Sequence, residues 1–277
     1  MNSTSNQTKR IVVCADDFGM NAGIDAGILR LAELGRLNAT SCLVEGPVFE
    51  QDAAALKASN LQTGLHLNFT EALTVPGLFL PLSELILRAY ARRLDTGRLR
   101  TQIVRQLDTF ESIMGRAPDF VDGHQHVHQL PQIREILLPE LVRRYAANLP
   151  WLRYTGLRAQ PSIPARLRFK ALVIQTLGSQ GFARQARRLG FTLNPGFLGV
   201  YDFQGGEAGY GALLQAWLSH ARDGDLLMCH PAEQADAQDG LGEQRTAEFQ
   251  VLAGQAAGGL LREHGLSIMP RKAAGRV

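Results

Sequence analysis

The sequence has few cysteines, no long apolar run and no common nucleotide-binding or serine-hydrolase fingerprint, and each absence removes a class of function. Cys14, Cys42 and Cys229 are widely spaced, odd in number and set in apolar stretches. That pattern excludes a disulfide framework and indicates a reducing compartment. The apolar run Ile11–Ala15 stops at two aspartates, too short for a signal-peptide core or a membrane span. A cytoplasmic protein, with at most a peripheral contact at the inner face of the membrane, is the expectation. No Gly-x-Ser-x-Gly elbow, Walker A loop or dinucleotide fingerprint occurs. A net charge of +3 is too mild to argue for a nucleic-acid partner.

What is present is a globular composition: 277 residues, 45% hydrophobic and 20% charged. Such a chain buries a sizeable core and is of a length common for one α/β barrel. The charge is unevenly placed. No acidic residue falls between Glu140 and Asp202, yet ten basic ones do, from Arg143 and Arg144 to Arg187 and Arg188. Removing those ten from +3 leaves the rest of the chain at −7. One segment, 141–201, is therefore strongly cationic on an otherwise acidic protein. Its arginines alternate with Trp151, Phe169, Leu172, Phe182 and Phe191, a mixture suited to an anionic membrane surface. An amphipathic helix packed on the barrel with solvated arginines is the other reading.

Short β-branched runs alternate with helix-period stretches, the pattern of βα units and a mostly parallel sheet. Strands are predicted at Arg10–Ala15, Ala39–Val44, Thr63–Leu67, Phe120–Asp122, Trp151–Tyr154, Asp225–Met228 and Ser267–Met269. The first helix is capped by Asn21, buries Ile24, Ile28 and Leu31, and stops at Gly35. Further helices are expected near 49–58, 82–94, 98–114, 132–146, 166–189, 209–222 and 244–264. The chain is taken as one domain over 1–277, with flexible tails at 1–9 and 271–277. The stretch 155–208, rich in Pro and Gly, is the candidate helical insertion or lid.

Four polar clusters each fall at the C-terminal end of a predicted strand: Asp16-Asp17, His66-Leu67-Asn68, Asp122 to His128, and His230-Pro231. A barrel gathers all strand C-termini on one face; an open sheet converges fewer of them, at its switch point. The expected fold class is therefore α/β, a distorted (β/α) TIM-like barrel.

Adjacent aspartates leaving a buried strand are costly unless compensated. One can bind a cation while the other stays free as a base; capping the next turn is the alternative. His66 lies between two leucines, where a hydrogen-bonded core histidine is equally natural. His124, His126 and His128 are spaced by two. If the strand continued, they would share a face with Cα atoms about 6.6–6.8 Å apart, too far for all three to bind one ion. One ligand, with the others serving substrate or a supporting shell, fits better. Asp, two His, a spare Asp and a spare His make up a mononuclear hydrolytic site. A divalent cation polarises a carbonyl, the free carboxylate takes a proton from water, and an imidazole protonates the leaving amine.

ADDFGMNAGID, GLHLN, FVDGHQHVHQLP and MCHP occur in this order between about residues 10 and 270, and with them the chain resembles the YdjC-like carbohydrate deacetylase family. The resemblance implies a distorted (β/α) barrel that removes acetyl groups from N-acetylglucosamine-containing substrates with one divalent metal. It implies Asp17, His66 and His124 as metal ligands, Asp16 as general base and His230 as candidate general acid. Asn68, His126 and His128 are the candidate substrate contacts. Where the family often has Ser-His-His-His-Val-His, this chain has Gly123-His124-Gln125-His126-Val127-His128, keeping the first histidine. The donor set suits zinc or magnesium, with manganese, cobalt and nickel as alternatives.

NPGFLGVYDF (Asn194–Phe203) is similar to the hopanoid-biosynthesis-associated (HpnK-like) subgroup, which implies a lipid-linked amino sugar, N-acetylglucosaminyl hopane, as substrate. Deacetylation of soluble chitooligosaccharides is the nearest alternative. A two-carboxylate glycoside hydrolase and a non-catalytic sugar- or lipid-binding barrel are the alternatives of other classes.

Overall fold

The structure is a computed structural model and describes residues 8–158 and 160–270. The expected tail segments 1–7 and 271–277 lie outside the described residues, while Lys9 already belongs to the first strand. The strands are β1 (Lys9–Phe18), β2 (Ala39–Cys42), β3 (Gln62–Leu67), β4 (Phe120–Gly123), β5 (Trp151–Leu152), β6 (Phe197–Leu198), β7 (Leu226–Cys229) and β8 (Leu266–Ile268). All pairings are parallel, in the order β5-β4-β3-β2-β1-β7-β6, with β8 on the first residues of β1. Isolated bridges Leu152↔Leu193 and Leu157↔Phe197 reach from the β5 side to the β6 side. The sheet thus curls into a distorted (β/α) barrel.

Strand parity decides what faces the barrel interior. On β1, Ile11, Val13 and Ala15 pack outward under the helices, whereas Val12 and Cys14 join Ala39, Phe120, Trp151, Phe197, Leu226 and Met228 inside. Phe120 and Trp151 stack at 4.2 Å across this interior. Register places Cys14 beside Met228, Ser41 beside Gly64, and His66 beside Asp122. Continuing the inward parity brings Asp16, Ser41, His66, Asp122, Arg153 and His230 to one end of the barrel, above the apolar layers. Gly64 is required here: a Cβ would meet the Phe120 ring at 2.4 Å.

The helices are α1 (Ala22–Glu33), α2 (Phe49–Ala58), α3 (Leu82–Tyr90), α4 (Thr96–Met114), α5 (Ile133–Tyr145), α6 (Ala165–Thr176), α7 (Ser179–Arg188), α8 (Gly206–His220), α9 (Gly242–Ala253) and α10 (Gln255–Glu263). Asn21 caps α1, its side chain accepting from the Ile24 amide at 3.0 Å. The helices expected at 166–189 and 244–264 each divide in two. Gly178, at φ +107°, separates α6 from α7, and Gly254, with extended ψ, separates α9 from α10. Strand β6 was not expected, since two residues carry no periodicity. It lies within 155–208, so the stretch expected as an insertion also supplies a strand of the sheet.

The cationic segment is partly neutralised by tertiary pairing. Arg143 and Arg144 pair with Glu140, and Arg144 also with Asp108 and Glu111. Arg153 pairs with Asp16 and Asp122, Arg158 with Asp225, and Arg166 with Asp202. Four of the ten cations, Arg144, Arg153, Arg158 and Arg166, therefore answer carboxylates brought from other parts of the fold, and Arg143 answers one on its own helix. Among the described residues no helix is long and apolar enough to cross a membrane.

Candidate active site

Neighbouring residues on a strand point to opposite faces, yet Asp16 and Asp17 reach one cleft. The reason is local: β1 shifts register against β2 between Ala15 and Phe18, and Asp17 adopts φ +73°. Such a bulge re-aims a side chain next to a site, and aspartate tolerates the left-handed region better than most residues. The strand leading into the histidines ends at Gly123, and Gln125 and His126 take φ +51° and +61°, kinking the 3-10 turns of His124–Gln129. The three histidines consequently do not share a face. His124 turns to Asp17, His126 reaches the cavity beside Phe197, and His128 turns into the core against Phe182.

Asp17, His66 and His124 each offer a ligand atom, all within 4.8 Å of one another. The Asp17 Oδ1 atom lies 3.0 Å from His124 Nδ1 and 3.4 Å from His66 Nε2. The other sides of His66 and Asp17 are anchored. His66 Nδ1 donates to Asp122 Oδ1 at 2.6 Å, which leaves Nε2 as its free edge. Arg245, from α9, donates through Nη2 to Asp17 Oδ2 at 2.7 Å.

Asp16 sits beside this trio. Arg153 grips both of its oxygens at 2.6 Å and reaches Asp122 Oδ2 at 2.5 Å, while Ser41 Oγ donates to Asp16 Oδ1 at 3.0 Å. His230 Nε2 lies 3.9 Å from Asp16 Oδ2. The His230 backbone amide donates to Glu248 Oε2 at 2.7 Å, and Tyr201 Oη donates to Glu248 Oε1 at 2.5 Å. Asp16, Asp17, His66, His124, His230 and Arg245 line a cavity of about 510 Å³, with Met20, Leu82, Ile174, Val200 and Phe203 as apolar wall.

The electrostatics sort the groups into roles. Burial by itself would raise Asp16, but the Arg153 guanidinium outweighs it and holds the carboxyl well below the usual range. Asp17 is likewise raised by burial and brought down further by Arg245 and His124. Burial opposes protonation of His66, yet Asp122 and Asp16 lift it to about 10. His230 moves the other way, lowered to about 4 by burial. Burial raises Glu248 to about 7. Three carboxylates and two arginines in near contact leave a negative surplus beside two imidazoles, which is where a cation is stabilised.

Of the candidate residues, Asp16, Asp17, His66, His124, His126 and His230 line the cavity. Asn68 and His128 do not. The Asn68 side chain accepts from the Thr70 and Glu71 amides at 3.0 Å and donates to the Glu71 carbonyl at 2.7 Å, shaping its own loop. His128 is buried, with Nε2 donating to the Arg153 carbonyl at 3.0 Å. Neither side chain faces the cavity, and both hydrogen-bond the backbone around them. Arg153, Arg245, Ser41, Glu71 and Glu248 escaped the sequence reading. Arg153 and Ser41 had a signal, since each stands two residues after an inward-facing residue, Trp151 and Ala39, on the same strand parity.

The family model described as YdjC-like protein matches residues 10–263. Carbohydrate deacetylase from Homo sapiens is 32% identical over 178 residues, which is 58% of this chain and 55% of that protein. Chitooligosaccharide deacetylase from Serratia marcescens is 34% identical over 134 residues, 45% of this chain and 53% of that protein. The chain thus spans about half the length of the curated relatives it matches. A solved structure from Enterococcus faecalis V583, whose name refers to cellobiose-phosphate cleavage, aligns with a TM-score of 0.70 at 20% identity. It covers 95% of this chain and 97% of that one, a likeness of fold. With the motif strands, the curled parallel sheet and a family match over nearly its whole length, the chain belongs to the YdjC-like protein family.

Proposed function

We propose that the protein is a carbohydrate N-deacetylase that uses one divalent cation held by Asp17, His66 and His124. The observation that carries this reading is the convergence of those three ligand atoms within 4.8 Å, on the cavity that also receives Asp16 and His230. The donor set fits the group: one carboxylate and two imidazoles suit zinc or magnesium, with manganese, cobalt or nickel as alternatives, and Asp122 behind His66 fixes its tautomer. A bound cation supplies Lewis-acid polarisation of the acetamide carbonyl and makes water more acidic.

The chain's own groups do the rest. Asp16, kept ionised by Arg153, takes the proton of the attacking water at its cavity-facing oxygen. His230 rests neutral, because burial depresses it. Its Nε2 lies 3.9 Å from Asp16 Oδ2, within reach of one bridging water, through which it takes up the proton and delivers it to the departing amine. His126 lines the same cavity and contacts the substrate. The names of the curated relatives, carbohydrate deacetylase and chitooligosaccharide deacetylase, accord with this chemistry.

The substrate we infer is lipid-linked, N-acetylglucosaminyl hopane giving the glucosaminyl form. Support comes from the Asn194–Phe203 resemblance and from the apolar wall of the cavity. Next to Lys170 and Ile174 on α6, Phe169 and Leu172 stand 67% and 47% exposed, a surface suited to a peripheral membrane contact. The test compares acetate release from N-acetylglucosaminyl hopane and from N,N′-diacetylchitobiose, with and without chelator. Acetate from either, abolished by chelator, supports the deacetylase. Preference for the hopane supports the lipid-linked substrate, and preference for the soluble sugar returns the protein to chitooligosaccharides. Chelator-insensitive turnover, or no acetate from the metal-loaded protein, overturns the proposal.

A further inference from the structure

The two histidines of the trio are backed unequally. Behind His66 stands buried Asp122, at 2.6 Å from Nδ1. Behind His124, whose Nδ1 faces Asp17, the Nε2 edge looks at Glu71, with Oε1 at 3.8 Å. Glu71 lies on the cavity wall, its side chain 41% exposed, in the loop between β3 and α3.

The backbone of Glu71 is held from both sides by one residue. Asn68 accepts from its amide at 3.0 Å and donates to its carbonyl at 2.7 Å. Asn68 is itself immobilised: its amide donates to Gln106 Oε1 at 2.9 Å, and its carbonyl accepts from Gln102 and Gln106 at 3.0 and 2.8 Å. Two glutamines buried on α4 thus fix an asparagine, which fixes the backbone that presents Glu71 to His124. A surface glutamate with only a solvated role has no need of such a mounting. The same short motif, His66-Leu67-Asn68, therefore supplies one ligand and sets the stage for the other.

We propose that Glu71 is a positioning residue for His124, the carboxylate that accepts from its Nε2–H and so keeps Nδ1 turned toward the cation. It makes an open counterpart of the buried Asp122–His66 pair. Small rotation of the Glu71 side chain closes 3.8 Å to hydrogen-bond length, and cation binding, which requires the Nδ1 lone pair and places the proton on Nε2, favours that rotation. The inference rests on the metal site of the proposed function.

Calorimetric titration of the full chain with Zn²⁺ tests it, using wild type, Glu71→Ala and Glu71→Gln. Outer carboxylates behind ligating histidines are worth about 10–100-fold in metal affinity, and because Glu71 is partly exposed, the lower end, about tenfold, is expected for Glu71→Ala. Glu71→Gln keeps an acceptor oxygen and is expected to recover most of that loss, a rescue that mere loop damage would not show. Metal-free thermal stability is expected to be the same in all three. Wild-type affinity in Glu71→Ala overturns the inference, as does an equal loss in both variants. A rise in KM with unchanged metal affinity overturns it too, assigning Glu71 to the substrate instead. Failure of the wild type to bind Zn²⁺ would strike the proposed function itself, a result separable from either.

Discussion

Replacing Arg153 with methionine removes the guanidinium wedged between Asp16 and Asp122. Arg153 is fully buried and makes three carboxylate contacts of 2.5 to 2.6 Å, with Cys14 Sγ a further 3.2 Å away. Methionine fills similar volume but leaves Asp16 as a buried charge supported by the Ser41 hydroxyl and the weak Cys14 thiol donor among neutral groups. Breaking a buried ion pair by deleting one partner costs roughly 3–5 kcal/mol. For a domain of this size each kcal/mol corresponds to about 2–4 °C in Tm, so a fall of roughly 6–20 °C is expected at pH 7.

The sign of the pH dependence follows from Asp16. Its folded-state pKa is depressed in the wild type, so its contribution is present above the ordinary carboxylate value, about 3.9, and is lost as pH falls through the folded-state value. The gap between wild type and Arg153→Met should therefore be widest near neutrality and narrow below about pH 4. A second substitution, Asp16→Asn in the Arg153→Met background, removes the stranded charge and should recover at least about 1 kcal/mol, a coupling measurable by a double-mutant cycle. Urea denaturation followed by far-UV circular dichroism reads all of these. A single variant within about 1 kcal/mol of wild type, or a gap independent of pH, would refute the reasoning that Arg153 compensates Asp16.

Asp16→Asn should keep the bound metal and lose turnover by about 10²–10⁴-fold; near-normal acetate release would reassign the base. His124→Ala should abolish metal retention by elemental analysis, whereas Gln125→Ala, at an exposed position, should not. Asp25 is raised to about 8 by burial, with Asp52 adding to it against the Gly19 amide that its Oδ1 accepts from at 2.6 Å. A raised carboxyl stabilises fully below its unfolded pKa and that stability is lost as pH rises through 8, so Asp25→Asn should be close to neutral at pH 4 and raise Tm at pH 9; an equal shift at both would reject this. Gly199→Ala places a Cβ 2.1 Å from the Met228 carbonyl oxygen at φ +97°, and should lower Tm by several degrees in thermal melts.

The residues that could be placed from the sequence share one property: their position is set by local periodicity or by strand polarity. Asn21 before α1, Gly115 after α4 and the C-terminal ends of β1, β3, β4 and β7 follow from short-range rules. Parallel strands then bring those ends to one face wherever the barrel closes. That is why the clusters at Asp16-Asp17, His66, Asp122 to His128 and His230 could be grouped from the sequence, whereas the choice of His124 among the three histidines came from the family resemblance. The breaks at Gly178 and Gly254 were less legible, because glycine is tolerated inside many helices and only packing decides whether it divides one.

What the sequence by itself determined was the class of fold, the four polar clusters and the types of donor that meet above the apolar layers. Only the tertiary structure decided which neighbours those donors acquire. Arg153 and Arg245 lie 137 and 228 residues from the aspartates they neutralise, and no periodicity links positions so far apart. It also placed Asn68 and His128 off the cavity: Asn68 bonds its own loop, and left-handed turns at Gln125 and His126 rotate the histidines out of a shared face. Local sequence sets the direction in which a strand delivers a side chain, whereas the charge that a buried carboxylate finds there depends on elements that meet only when the sheet curls.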